Sequence, residues 1–135
     1  MTPDSTGQVR GFDHVSLPMQ DTEAMVAFYR ALGFEVAELP SIVSVYVGDE
    51  MINLHRPEIW QRKGFTLRAP SASPPCGDLC FRWEGPSESL HTALANAGAE
   101  IIEGPVARQG GRPTQAMSVY VRDPDGNLLE FMIYP

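Results

Sequence analysis

The sequence is poor in lysine, with Lys63 alone beside nine arginines; it has only two cysteines and no long apolar run. Each shortage excludes something. Spanning a bilayer takes about 20 consecutive apolar residues, so no membrane partner is expected. Ten basic residues against 17 acidic ones give a net charge of −7, which argues against nucleic acid or an anionic membrane surface. Cys76 and Cys80 are too few for a disulfide scaffold, and their spacing has no second pair to complete a cysteine metal site. The opening MTPDSTGQVR lacks the apolar core of a secretory signal. A reducing, cytoplasmic setting is therefore predicted.

What remains fits an ordinary globular chain. It has 135 residues, the size of one domain, with 43% hydrophobic and 20% charged residues. The strongest internal signal is a duplication. A helix is predicted from Asp21 to Leu32, with Asp21 as N-cap, Met25, Phe28, Tyr29 and Leu32 on one stripe, and Gly33 closing it. A second is predicted from Ser87 to Ala97, with Leu90, Ala93, Leu94 and Ala97 on the stripe and Gly98 beyond. Each apolar stripe position of the first, and its closing glycine, lies 65 before its counterpart in the second.

Strands of alternating pattern precede each helix, at Gly11–Leu17 and Asp78–Trp83. Three more follow each: Glu35–Leu39, Val43–Val47 and Met51–His55, then Glu100–Glu103, Met117–Val121 and Asn127–Tyr134. Gly48-Asp49-Glu50 and Asp123-Pro124-Asp125-Gly126 read as hairpin turns. The fold class is thus α+β, one domain over 1–135 with a βαβββ module at about 11–55 and another at about 78–135. The connection, 56–77, is rich in Pro, Ser and Ala, and reads either as a lid or as a plain linker.

Side chains alternate between the faces of a strand, which sorts the polar residues. His14 shares a face with Phe12 and Ser16, Asp78 with Cys80, Glu130 with Leu128 and Met132, and His55 with Asn53. One metal-type donor per strand results, and the repeat pairs them: His14 with Asp78, 64 apart, and His55 with Glu130. A carboxylate among apolar strand residues is costly to bury unless paired or bound to a metal. Two imidazoles and two carboxylates would suit a divalent ion and leave one or two coordination positions for substrate. Each residue also has a plain structural role open to it. His14 could be a core histidine, Glu130 a solvated strand-edge carboxylate, Asp78 a turn cap, and His55 part of the connecting loop. His91 is expected at the surface.

The stretches FDHVSLPMQDTEAMVAFYRALGFEV, MINLHRPE, GPVARQGG and SVYVRDPDGNLLEF resemble the glyoxalase/bleomycin resistance/extradiol dioxygenase group, the vicinal oxygen chelate superfamily. The similarity runs from about Gly11 to Tyr134. Its C-terminal signature is carried by Asp123, Pro124, Asp125, Gly126, Asn127 and Glu130. Asn53-Leu54-His55 and the Gly104-to-Arg108 segment are similar to the glyoxalase domain-containing protein 5-like proteins, a group that includes bacterial virulence proteins. The resemblance implies a cup-shaped mixed β-sheet and metal ligation by His14, His55, Asp78 and Glu130. The ion could be Ni, Fe, Mn, Co or Zn. It also implies a small-molecule substrate and a homodimer, in which the cup is built within one chain or across two.

The ligand set departs from the family's usual pairs, since here they would be His with His and Asp with Glu. An additional acid–base histidine of the extradiol enzymes has no counterpart. Three functions follow. One is a glyoxalase-like isomerase or lyase, polarising vicinal oxygens, with Glu130 or Asp78 moving the proton and Arg56, Arg68 or Arg108 binding an anionic tail. Another is a dioxygenase or transferase on the same metal. The third is a non-catalytic binder of bleomycin-resistance type, with which Trp60 and Trp83 are compatible.

Overall fold

The computed structural model describes residues 5–135. The first module comprises β1 (His14–Pro18), α1 (Thr22–Leu32), β2 (Glu35–Glu38), β3 (Ile42–Val47) and β4 (Glu50–His55). A one-turn helix, α2 (Pro57–Trp60), opens the connecting segment. The second module comprises β5 (Asp78–Arg82), α3 (Ser87–Asn96), β6 (Glu103–Gln109), β7 (Gln115–Arg122) and β8 (Leu128–Ile133). Each module forms its own four-stranded mixed sheet, in the orders β1-β4-β3-β2 and β5-β8-β7-β6. The first and last strands of each module pair in parallel and the other neighbours are antiparallel. The βαβββ repeat is confirmed.

Local chemistry accounts for the helices. The Asp21 side chain accepts the Ala24 N–H at 3.2 Å, and Gly33 closes α1 in the left-handed region at φ +104°. The apolar stripes of both helices face the sheets, and one core joins the modules: Phe34 packs on Phe81 at 5.2 Å between ring centroids, and Phe81 on Phe131 at 5.4 Å.

One strand lies elsewhere than predicted. The sixth was expected at Glu100–Glu103, but β6 begins at Glu103 and runs through Gly104-Pro105 to Gln109. A proline is tolerated there because β6 is a sheet edge, where its missing N–H breaks no ladder bond. The register slips between Glu103 and Val106, and a Cβ on Gly104 would meet the Ser118 carbonyl oxygen at 2.4 Å, so only glycine lets the strands close.

The Asp123–Asn127 turn ties the second module to the first. The Asp123 carboxylate is buried; one oxygen accepts the Gly126 and Asn127 N–H groups, and the other accepts the Asn127 amide and, at 2.6 Å, the Tyr29 hydroxyl of α1. Asp125 accepts the N–H groups of Gln20 and Asp21 at 2.7 and 2.8 Å, just before α1 begins. Asn127 accepts the Gly77 N–H at 2.8 Å.

Burial first, then Asp123, pushes the Tyr29 phenol well above its usual range. Above about pH 10, an unfolded chain releases that proton while the folded one keeps it, so Tyr29 makes stability fall as pH rises. Tyr29→Phe removes one of the two donors to a buried carboxylate oxygen and is expected to cost about 1–3 kcal/mol at pH 7. Urea denaturation should show that loss, together with a shallower alkaline decline than the wild type.

Candidate metal and substrate site

Each sheet buries one face against the helices and turns the other outward. On the first sheet the outward residues include His14, Ser16 and Pro18 of β1 and Met51, Asn53 and His55 of β4; on the second they include Asp78, Cys80 and Arg82 of β5 and Glu130 and Met132 of β8. Each outward face is roofed at one end. Residues from the 56–77 segment cover the first: Trp60 donates to the Met19 carbonyl at 2.8 Å, Arg68 lies over Trp60, and Phe65 stands 5.1 Å from the His55 ring. The β6–β7 hairpin leans over the second face, where a Cβ on Gly110 would strike the Tyr134 hydroxyl at 2.4 Å.

All four sequence-predicted donors lie on these outward faces, in different surroundings. The exposed His14 ring holds Asp13 through Nδ1 at 2.7 Å, which leaves Nε2 free for a ligand. Asp78 is exposed and lines, with His14, Glu50 and Cys80, one cleft of about 340 Å³ between the sheets. Glu130 is half-buried opposite Cys80; the Ser118 hydroxyl donates to its Oε2 at 2.7 Å, and the Cys80 thiol hydrogen-bonds to the same carboxylate. Burial first, and then the neighbouring Glu130 carboxylate, pushes the Cys80 thiol up to about 12, so it stays protonated.

His55 is separate. It lies opposite Pro18, four positions beyond the partner of His14, roughly 13 Å along the strand. It lines a small pocket of about 70 Å³ with Ser16, Trp60, Arg68 and Ala72. Its Nδ1 is buried without a hydrogen-bond partner.

The register also corrects the expected pairing of His55 with Glu130. His14 faces Met51 and Asp78 faces Leu128, so two residues further along, Glu130 corresponds to Asn53. The expectation counted from the hairpin turns, and these differ in length: Val47 pairs with Glu50, but Arg122 pairs with Leu128. Counting from the parallel partner strand would have found Asn53, which is buried and accepts the Ser44 hydroxyl at 2.8 Å. Asp13 and Ser118, which orient His14 and Glu130, carried no signal in the sequence pattern. Among the described residues of one chain, no three His, Cys, Asp or Glu side chains gather closely enough to hold a metal ion.

The glyoxalase/bleomycin resistance protein/dioxygenase superfamily model matches residues 11–131. The chain belongs to this superfamily. It is 36% identical over 124 residues to virulence protein STM3117 of Salmonella typhimurium, covering 90% of this chain and 83% of that protein. The crystal structure of STM3117 aligns with a TM-score of 0.82, over 96% of this chain and 100% of the other. Glyoxalase domain-containing protein RDO1 of Mycosarcoma maydis is 33% identical, over 93% of this chain and 69% of its own. The metallothiol transferase FosB of Shouchella clausii is 28% identical, over 90% of this chain and 79% of its own. The fold and the subgroup expected from the sequence are both supported by these matches.

The roof over His55 is pH-sensitive in a defined direction. Burial first, and then the Arg68 charge, lower the His55 pKa from 6.5, so the covered state disfavours the imidazolium. Uncovered histidine binds more protons below that value, and closure weakens as pH falls through 6.5 towards the lowered value. In a Trp83→Phe background, acrylamide should quench Trp60 more readily at pH 5.5 than at pH 7.5. His55→Asn should remove the difference.

Proposed function

We propose that this chain is a metal-dependent enzyme acting on a small molecule with two adjacent oxygens, and that two copies build its centre. The observation that carries the reading is the pairing of His14 and Asp78, equivalent positions of the repeat, on one cleft, with Glu130 diagonally beside Asp78 on the same sheet face. An imidazole with a free Nε2 and two carboxylates suit Zn, Ni, Fe, Mn or Co. His14, Asp78 and Glu130 would hold the ion, with Asn53 at the fourth equivalent position. His55, under its roof, would reach the centre only with segment 56–77 displaced.

The described residues of one chain do not gather these donors closely enough for an ion, so a second copy would complete the set. Phe12 and Tyr46, on the outward side of the first sheet, are 77% and 38% exposed and offer apolar surface to a partner. The ion, when bound, would polarise the substrate's adjacent oxygens and acidify the neighbouring C–H. The protein's own work would then fall to Glu130: Ser118 donates to Oε2, and the carboxylate would take a proton from one carbon and return it to the next, an isomerase or lyase step of glyoxalase-like type. The same donors would serve ring-opening oxygenation or, as the FosB resemblance supports, thiol transfer. Oxygen consumption and thiol dependence separate these.

The purified protein should run as a dimer and bind about one divalent ion per His14–Asp78–Glu130 set. His14→Ala and Glu130→Gln, the latter still able to accept from Ser118, should each weaken metal affinity roughly 10–100-fold with little change in Tm. A full metal complement in both variants by elemental analysis would defeat the ligand assignment.

A further inference from the structure

We infer that the hollow between Arg82 and Arg112 binds an anionic oxygen group, and that the substrate of the proposed centre is therefore a small acid; the second clause rests on the metal reading above. The hollow measures about 230 Å³ and is lined by Cys80, Arg82, Gly110, Arg112, Met132 and Tyr134. Cys80 lies directly opposite Glu130, so the hollow starts beside a proposed ligand and leads away from it.

The arginines are placed by the fold. Arg82 ends β5, two residues beyond Cys80 on the same face. Arg112 sits at the β6–β7 hairpin, which can lean this close only because Gly110 has no side chain; a Cβ there would also meet Met132 atoms at 3.0 Å. The guanidinium of Arg112 lies over the Tyr134 ring at 5.4 Å. Stacking fixes the plane of a guanidinium while leaving its N–H fork free for a carboxylate or phosphoryl group.

Both forks are unused. Among the described residues neither guanidinium has a hydrogen bond or ion pair, whereas Arg30 and Arg56 are engaged with Glu38, Arg68 with the Ala72 carbonyl and Arg122 with that of Gly126. In a chain with 17 acidic and ten basic residues, two unpaired arginines facing one hollow are the feature to explain. Asp49, Glu50 and Glu84 line the larger outer groove that both arginines also border, without pairing to either.

The test uses chelator-treated full-length protein, titrated calorimetrically with succinate in one arm and inorganic phosphate in the other. Saturable binding of either anion is expected, the better one telling carboxylate from phosphoryl chemistry. Arg82→Gln and Arg112→Gln should each weaken it at least tenfold, with an unchanged Tm. Arg62→Gln, the same charge change on the exposed 56–77 segment, should leave it alone. No saturation by either anion, or equal loss in Arg62→Gln, overturns the inference. Zinc titration of the same variants keeps the two readings apart: anion binding without zinc binding refutes the metal centre alone, and zinc binding without anion binding refutes the subsite alone.

Discussion

The buried carboxylate of Asp123 is the constraint on which the rest of the structure depends. A charge inside a protein is tolerable only when its oxygens are fully engaged. Here backbone N–H groups of its own turn, the Asn127 amide and the Tyr29 hydroxyl do so. Because Tyr29 belongs to the other module, satisfying the charge also fixes the relation of the two sheets. Asp125 adds two backbone bonds just before α1, where a negative group is favoured. The Asp-Pro-Asp-Gly-Asn signature is therefore a joint between modules, and only Glu130 at its end points to chemistry.

With the joint set, strand alternation decides the rest. The inward faces merge into one aromatic core, and the outward faces are left to carry His14, Asn53 and His55 on one sheet and Asp78, Cys80 and Glu130 on the other. The polar residues closest to the sheet centres are held by serines: Ser44 on Asn53 and Ser118 on Glu130. Orientation of this kind matters because a donor that must first be immobilised binds less tightly than one already in place.

Much of this was legible in the sequence. The helices were readable because their stripes and closing glycines recur at one spacing, and the faces because parity along a strand needs no knowledge of its partners. The sixth strand was hidden, since Gly104-Pro105 is a breaker everywhere except at an edge, and edge status is a property of the assembled sheet. The equivalence of Asn53 with Glu130 was hidden for a related reason: it is set by parallel pairing between strands far apart in the chain, and two turns of unequal length shifted the count. Asp13 and Ser118 act through single side-chain bonds, which leave no periodic trace.

Both roofs come from stretches outside the duplicated pattern, the 56–77 connection and the β6–β7 hairpin, and they add little to the shared core. The shared core and the covers over the outward faces are thus written in separate parts of the chain. A lineage could exchange the residues of either stretch, and with them what covers the outward faces, without renegotiating the stability of the scaffold underneath.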